Sequence, residues 1–246
     1  MGYMKGEYVY LYNNSRYTKK GEILMVQTNI GLAGIGKLGS AMMGQWAKHN
    51  ISIGVYHPDQ AKAESFISNY TNGFLLKETD ITKLDVMLLA LPANRIIPFL
   101  QKRKDTDTLF INMATSLSTD EVKRGLPEKK VAGLKFMGHA TDLKEHGNGL
   151  FITGQQLPAA LLNVFRYIGE VKKDDEDVVI NVNKMATYQA IKAAVEIEKE
   201  FERNNLPMDY KERALTSLAP EVIRSYSKGK LGHFGQEIAK EFKGKL

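Results

Sequence analysis

Short apolar runs alternate with amphipathic stretches from residue 28 onward, and this alternation predicts strands and helices in turn. The run 85–91 is apolar almost throughout, which is typical of a strand buried on both faces. Repeated strand–helix units predict an α/β fold with a doubly wound parallel sheet and right-handed crossovers. The predicted strands lie at 28–33, 51–56, 73–76, 85–91, 109–113, 131–136 and 150–153.

Helices are predicted between these strands from apolar positions at helical spacing and from capping residues. Asp59 is the expected N-cap of one helix, and Thr119 is the expected N-cap of another that starts near Asp120. The predicted helices lie at 37–49, 60–70, from 96, from 120 and at 158–167.

The pattern changes after residue 169, where mixed charged and apolar positions predict one or two helices over 176–203 and a last helix at 237–242. This part is too short for a large core of its own. We therefore expect it to pack on the preceding domain or on a second subunit, and the half-buried helical surface favours a homodimer.

The first predicted strand ends in Gly34-x-Gly36-x-x-Gly39, and a predicted helix follows directly. This order of strand, turn and helix is the context that the Rossmann dinucleotide-binding motif requires. Gly34 allows a sharp turn, Gly36 lets the backbone approach a pyrophosphate, and Gly39 lets the helix lie close to its strand. The residues expected to bind NAD(P) in this turn are Gly34, Ile35, Gly36, Lys37, Leu38 and Gly39.

We expect the chain to consist of three segments, with the motif in the second. They are an extension at 1–24, a Rossmann-type dinucleotide-binding domain at 25–174 and a small helical C-terminal domain at 175–246. The strand–helix–strand unit at 28–56 has about the 30 residues that this architecture needs. The alternative to a dinucleotide-binding motif at Gly34, Gly36 and Gly39 is a glycine-rich turn in an unrelated α/β protein.

The choice between NAD and NADP depends on the end of the second predicted strand. An acidic residue there would bind the ribose hydroxyls of NAD, but Tyr56 and His57 occupy this place. The next acid, Asp59, is better used as a helix cap, and Lys62 lies one turn into the helix. NADP is therefore weakly favoured over NAD.

Composition narrows the classes of protein that this chain can belong to. Hydrophobic residues make up 43% and charged residues 25%, as in ordinary globular proteins. No apolar run approaches the roughly 18 residues of a membrane span. There is no signal-peptide pattern, and the chain has no cysteine, which excludes disulfides and thiolate metal sites. We expect a cytoplasmic protein without a membrane partner.

The net charge of +6 raises the question of nucleic-acid binding. The lysines are scattered among acidic residues and do not form a stripe, so no nucleic-acid partner is expected. We interpret the charge as a solvated surface that favours anionic ligands such as a phosphorylated cofactor. No metal site is expected either, because the group of His139, Asp142, Glu145 and His146 lacks a recognisable ligand spacing.

The extension at 1–24 contains tyrosines among polar residues, without a sustained period. It ends in Lys20-Gly21-Glu22-Ile23-Leu24, just before Met25. The codons of Lys-Gly-Glu can spell a bacterial ribosome-binding sequence at the usual distance from a start codon. We therefore hypothesise that residues 1–24 are a translated leader; a real, poorly ordered extension is the alternative.

Three segments together resemble two related enzyme families. They are Ile30 to Gly39, Val55-Tyr56-His57, and the strand from Asp85 to Leu91 with Pro92. One family is the pyrroline-5-carboxylate reductases, and the other is the β-hydroxyacid dehydrogenases, which include 3-hydroxyisobutyrate and 6-phosphogluconate dehydrogenases. The resemblance covers roughly residues 28–155. It implies that the loops containing Leu91, Pro92, Ala114 and Thr115 also contact the cofactor.

The chain resembles each family at different places and matches neither active site completely. Lys184 resembles the catalytic lysine of the dehydrogenases, but Thr187 and Tyr188 stand where their asparagine is expected. The segment 137–141, which contains His139, occupies the place of the Met-Pro-Asn-Thr-Pro segment of the reductases. Their Ser-Gly-Ser-Gly-Pro-Ala-Tyr segment would fall near 183–189 and is absent, although the small C-terminal domain fits the reductase layout better.

The resemblance implies an NAD(P)-dependent oxidoreductase, similar to pyrroline-5-carboxylate reductase, that transfers hydride to a small imine or carbonyl substrate. A β-hydroxyacid dehydrogenase-like enzyme and a catalytically silent nucleotide-binding or regulatory protein remain the alternatives. Lys184 is the candidate proton donor, since burial can lower a lysine pKa towards neutrality, and His139 is a second candidate. A surface lysine and a structural histidine are the corresponding non-catalytic interpretations.

Overall fold

The computed structural model describes residues 11–12, 15–17, 23–25, 29–103 and 106–244. The chain forms two compact units, residues 1–183 and 184–246. Most of the expected leader at 1–24 lies outside the described residues. Its described parts belong to three short antiparallel strands, β1 (Leu11–Tyr12), β2 (Ser15–Tyr17) and β3 (Ile23–Met25).

The first unit is built around a six-stranded, all-parallel sheet, which confirms the predicted Rossmann-type doubly wound fold. The strand order is β6-β5-β4-β7-β8-β9, so the chain starts in the middle and reverses direction across the sheet between β4 and β7. The strands are β4 (Ile30–Ala33), β5 (Ile53–Tyr56), β6 (Gly73–Leu75), β7 (Val86–Leu89), β8 (Leu109–Asn112) and β9 (Val131–Gly133).

Helices cover this sheet, which separates two apolar clusters. All four residues of β4, β5 and β7 are buried, as expected for strands with both faces covered. Trp46 and Met42 pack in one cluster, and Ile96 and Phe110 pack in the other. The helices of this unit are α1 (Lys37–Ala47), α2 (Gln60–Ile67), a 3₁₀ helix (Glu78–Lys83), α3 (Ala93–Gln101), α4 (Thr119–Gly125), α5 (Ala140–His146) and α6 (Ala159–Phe165).

The predicted single strand at 131–136 is wrong, because the chain changes sheets at Leu134. β9 ends at Gly133, and β10 (Lys135–Met137) pairs antiparallel with β11 (Gly149–Thr153). β12 (Gly169–Lys173), which the sequence did not predict, pairs parallel with β11 and completes this second sheet. Residues 131–136 are buried throughout, so the apolar pattern continues across the break and hides it.

One of the two predicted caps is confirmed and the other is wrong. Asp59 caps α2 by accepting the backbone N–H of Lys62 at 3.3 Å. At α4 the cap is Ser118, whose hydroxyl accepts the N–H of Glu121 at 3.0 Å. Thr119 is instead the first helical residue, and its hydroxyl donates to Glu176 at 2.7 Å. The sequence offers two adjacent hydroxyls, and only the distant acid decides between them.

The second unit is helical. A single long helix, α7 (Asp177–Arg203), begins in the first unit and continues into the second. It is followed by α8 (Met208–Arg213), a π-helical turn (Ala214–Leu218), α9 (Ala219–Ser227) and α10 (His233–Lys243). None of the residues in these four elements is buried. Across the described parts of the chain, no helix combines the length and apolarity needed to cross a membrane.

Candidate cofactor site

The register of the large sheet places the predicted cofactor-binding loops side by side. Ala33, the last residue of β4, pairs with Tyr56 of β5 on one side and with Leu89 of β7 on the other. Leu89 in turn pairs with Asn112, the last residue of β8. Because these strands are parallel, the loops that follow them leave from one edge of the sheet, where doubly wound proteins bind their ligands. This carboxyl edge brings together the loops at 34–39, 56–57, 91–92 and 114–115.

The glycine-rich turn after β4 has the geometry that the motif predicts. Gly34 has a φ of +118°, and a Cβ there would collide with the carbonyl of Ala90. A Cβ on Gly39 would collide with the carbonyl oxygen of Gly34, so only glycine allows α1 to lie this close to the turn. At Gly36, by contrast, a Cβ would meet nothing within 4 Å. The turn is therefore tight on its inner side and open on its outer side.

The start of α1 can hold an anion at this open side. Gly36 is its N-cap, with no side chain to accept the first helical N–H groups, and the first turn contains no acidic residue. Such N–H groups, together with the positive end of the helix dipole, favour phosphate. Gly36 and Lys37 are exposed, and Ile35 and Leu38 are half-buried beside them. The residues present thus fit the pyrophosphate of a dinucleotide.

Tyr56 contributes to the site through its position rather than through its side chain. Its ring is buried, and its hydroxyl donates a short hydrogen bond to Glu78, which also pairs with the guanidinium of Arg103 at 2.7 Å. Arg103 lies over the ring of Phe99 at 3.5 Å from its centroid. Burial raises the pKa of Tyr56, and burial also lowers the pKa of Arg103. Sequence reasoning missed this cluster, because its members come from three separate parts of the chain: β5, the 3₁₀ helix, and the end of α3 with the residues that follow it.

Beyond Tyr56 the side chains are exposed or half-buried. The backbone N–H of Asp59 donates to Nδ1 of His57 at 3.0 Å, which fixes the imidazole at the end of β5. Lys62 lies 3.8 Å from the Asp59 carboxylate, a long and solvated ion pair. Lys62 and Ile35 also line a shallow recess of about 460 Å³ between the glycine-rich turn and α2. The expectation that Asp59 is a helix cap is confirmed, so it is not the acid that would bind ribose.

The loops after β7 and β8 differ in how they are held. Leu91 is half-buried, and Pro92 is exposed as the N-cap of α3. After β8, the buried Asn112 accepts the N–H of Ala114 at 3.0 Å and donates to the carbonyl of Leu117 at 2.9 Å. Ala114 is buried, whereas Thr115 is half-buried.

A buried lysine that the sequence did not single out lies beneath this second loop. Lys135 Nζ donates to the carbonyls of Ala114 and Leu117 at 2.7 and 2.8 Å, and it lies 3.5 Å from a carboxylate oxygen of Glu176. Burial lowers the pKa of Lys135 to about 8, against the opposing effect of Glu176. The only signal in the sequence is a weak one, a single charge inside the otherwise apolar run 131–136.

The two candidate catalytic residues come from other elements of the chain. His139 is exposed and serves as the N-cap of α5, where its Nδ1 accepts the N–H of Thr141 at 3.3 Å. Lys184 lies on α7 with its side chain exposed, rather than buried as the pKa argument assumed. Neither residue belongs to the loops at the carboxyl edge. No group of three His, Asp or Glu side chains suited to a metal ion occurs among the residues described above.

Comparison with known protein families supports the interpretation of the glycine-rich turn as part of a nucleotide-binding domain. Residues 29–141 match the family described as the NAD binding domain of 6-phosphogluconate dehydrogenase. The matched stretch contains all of the predicted cofactor-binding residues. No curated protein matches the sequence.

Solved structures extend the likeness to the fold of most of the chain. The first is Psf3 in complex with NADP+ and 2-OPP, with a TM-score of 0.61, 13% identity, and coverage of 82% of this chain and 80% of that one. A 3-hydroxyisobutyrate dehydrogenase from Salmonella typhimurium has a TM-score of 0.59 and 14% identity, covering 82% and 79%. A reductive aminase from Aspergillus terreus, in complex with NADPH4, cyclohexanone and allyl amine, has a TM-score of 0.57 and 13% identity, covering 82% and 78%.

At these identities the structures agree in fold, whereas the sequence match identifies the domain. Residues 29–141 therefore form an NAD-binding domain of the 6-phosphogluconate dehydrogenase type.

Proposed function

We propose that this protein is an NAD(P)-dependent oxidoreductase that transfers hydride between the cofactor and a small imine or carbonyl compound. The observation that carries the proposal is the open side of Gly36 at the uncapped start of α1. A nicotinamide cofactor would supply the hydride. The protein would supply the binding site, the orientation of the two reactants and a proton for the nitrogen or oxygen that the reduction leaves negative.

NADP is the proposed cofactor, with NAD as the alternative. The end of β5 offers His57 and Lys62 and no acid apart from the helix cap Asp59. A cationic surface at this place suits a 2′-phosphate better than a free ribose hydroxyl. Two of the three similar structures described above contain NADP+ or NADPH4, which agrees with the proposal.

The proposed substrate class rests on both family resemblances. A reductive aminase and a 3-hydroxyisobutyrate dehydrogenase are both among the structures of similar fold, so imine and carbonyl compounds are the compounds to test. We favour a pyrroline-5-carboxylate reductase-like enzyme because the helical segment after the NAD-binding domain is short. A β-hydroxyacid dehydrogenase-like enzyme is the alternative.

Lys184 and His139 are the proposed proton donors. If Lys184 acts as the family resemblance implies, Lys184→Ala should lower the turnover rate by about two to four orders of magnitude. The affinity for NADPH should stay nearly unchanged, because the cofactor-binding residues lie in other elements. Full activity of this variant would make Lys184 an ordinary surface lysine.

We also propose that the protein is a homodimer in the cytoplasm. Large apolar side chains are exposed along α9 and α10, including Tyr226, Phe234 and Phe242, which are 54%, 76% and 66% exposed. Large exposed apolar patches mark sites of interaction with other molecules, among them subunit interfaces. Light scattering coupled to size-exclusion chromatography tests this: twice the mass of one chain is expected, and the mass of a single chain would contradict the dimer.

The surroundings of the two candidate proton donors favour a second candidate function, a catalytically silent nucleotide-binding or regulatory protein. His139 is used as a helix cap, and Lys184 is exposed. A fluorescence titration with NADPH, followed by a panel of imine and carbonyl substrates, separates the two functions. Binding with turnover supports the oxidoreductase, whereas binding without turnover across the panel supports the silent protein. A protein that binds neither NADPH nor NADH would refute both.

A further inference from the structure

The loop 113–118, between β8 and α4, is shaped by polar side chains that lie beneath it. Lys135 donates from a single nitrogen to the carbonyls of Ala114 and Leu117. Two carbonyls three residues apart that both turn inward to one nitrogen require the backbone between them to bow outward. Thr115 and Ser116 are accordingly half-buried and exposed, while Ala114 and Leu117 are buried.

The end of the loop is held by the partner of the same lysine. Glu176 accepts from the backbone N–H and from the hydroxyl of Thr119, the first residue of α4. Its side chain is 14% exposed, and that of Lys135 is 2% exposed. A buried charge is tolerated only when it is paired and hydrogen-bonded, and this lysine is both. The ammonium thus links the loop to the segment before α7.

The position of this loop in the sheet indicates which half of a dinucleotide it faces. The strand order β6-β5-β4-β7-β8-β9 consists of two three-stranded halves, and a dinucleotide lies across the crevice between them. The half with β4 and β5 carries the glycine-rich turn and the ribose-binding position of the adenosine side. The loop 113–118 leaves β8 in the other half and therefore faces the nicotinamide side.

We propose that Lys135 is a positioning residue that holds the loop 113–118 so that Thr115 and Ser116 contact the nicotinamide half of the bound cofactor. This inference rests on the proposed function, since it requires that a dinucleotide binds. Lys135 itself is too deeply buried to reach the cofactor. Its effect passes through the two backbone carbonyls, and it should leave the adenosine half of the site unaffected.

The test compares a whole cofactor with its adenosine half. Lys135→Met keeps the length of the side chain and removes its hydrogen-bond donors. We expect the affinity for NADPH, measured by titration calorimetry, to fall about tenfold, the equivalent of one lost charge-assisted hydrogen bond. The affinity for 2′,5′-ADP, which lacks the nicotinamide half, should not change. A loss of folding alone would weaken both ligands together.

A matched control removes the same kind of contact elsewhere. Gln45 is buried in α1 and donates to the carbonyls of Leu143 and Lys144 at 2.9 and 2.6 Å, far along the helix from the glycine-rich turn. Gln45→Met should leave both affinities unchanged. If Lys135→Met does not fold, Lys135→Met with Glu176→Gln removes both charges and carries the same expectation.

The outcomes separate this inference from the proposed function. Weaker NADPH binding with unchanged 2′,5′-ADP binding supports the positioning role. Unchanged NADPH binding, or an equal loss for both ligands, overturns the positioning role while the proposed function stands. A wild-type protein that binds neither NADPH nor NADH overturns the proposed function, and the positioning role with it.

Discussion

Two loops at the carboxyl edge of the same sheet obtain their shapes in opposite ways. The turn at 34–39 is shaped by missing side chains: any Cβ on Gly34 or Gly39 would collide with backbone. The loop at 113–118 is shaped by added side chains, those of Asn112 and Lys135, which hydrogen-bond its backbone from below. The first loop needs space, and the second needs partners.

The two loops differ in the sequence separation of the residues that shape them. The glycines of the turn lie within six residues of one another, so the spacing is visible in the sequence. The contacts from Lys135 to Ala114 and Leu117 span 21 and 18 residues, and the contact from Thr119 to Glu176 spans 57. Apart from the adjacent Asn112, the partners of this loop are distant in sequence and leave no local pattern.

The largest expected effect comes from filling the tight side of the turn. Gly39→Ala places a Cβ against the carbonyl of Gly34, and neither backbone segment can move without separating α1 from β4. We expect the free energy of unfolding to fall by about 4 kcal/mol, which is large for a single methyl group. Urea denaturation measures it.

Gly36→Ala is the matched control for this change. It adds the same methyl group to the same turn, where nothing lies within 4 Å and the backbone is extended. Its free energy of unfolding should stay within about 0.5 kcal/mol of the wild type. Equal destabilisation by both substitutions would show that the turn is not tight on one side only.

The second prediction concerns the pH dependence that Lys135 gives to the other loop. Its pKa in the folded protein is about 8, lowered by burial from 10.5. Below pH 8 the ammonium is charged in both states. Between pH 8 and pH 10.5 the unfolded chain retains a proton on this lysine that the folded chain has released. The free energy of unfolding therefore rises with pH by up to about 3 kcal/mol.

Denaturation between pH 7.5 and about 9.5 should therefore show a rise that Lys135→Met abolishes. The range stops there because burial raises the pKa of Tyr56 above its usual 10.0, and that group lowers stability at higher pH. Glu176 and Asp177 are the acidic groups whose charges act on Lys135. A variant whose stability follows the same pH dependence as the wild type would contradict a buried, paired lysine.

The third prediction fills the open side of the turn. Gly36→Val should preserve the fold, since its Cβ meets nothing, but the branched side chain would occupy the place of the pyrophosphate. We expect NADPH affinity to fall at least about 100-fold, or about 3 kcal/mol. Fluorescence titration measures the affinity, and circular dichroism checks the fold. Unchanged affinity would remove the basis for placing the cofactor here.

The same contrast explains which parts of the fold and site could be predicted from the sequence. The parallel sheet and the glycine-rich turn were predictable, because apolar runs and glycine spacing are local signals. The break at Leu134 was not, since both β9 and β10 are buried and the apolar pattern does not change between them.

Side-chain roles were predicted less well than backbone positions. Tyr56 stands where the motif places it, yet its hydroxyl is engaged with Glu78, 22 residues away. Ser118 and Thr119 could each have capped α4, and only the contact with Glu176 separates their roles. In each case the deciding partner is distant in sequence, so periodicity and spacing could not reveal it.

The last prediction has the smallest expected effect and concerns a third loop, at the end of β5. It asks whether charged side chains there bind the cofactor in addition to the loops at 34–39 and 113–118. If His57 and Lys62 flank a 2′-phosphate, NADPH should bind about tenfold more tightly than NADH at low ionic strength, and salt should reduce the difference. Lys62→Ala should remove most of the preference.

Lys83→Ala is the matched control. Lys83 is also an exposed lysine, and it pairs with an aspartate three residues earlier, Asp80, at 3.1 Å. It lies, however, on the 3₁₀ helix before β7. It should leave the preference intact, which separates a contact with the phosphate from a general loss of positive charge. Equal affinities of the wild type for the two cofactors at low salt would mean that the end of β5 does not bind the 2′-phosphate. Only the loops at 34–39 and 113–118 would then contribute to the site.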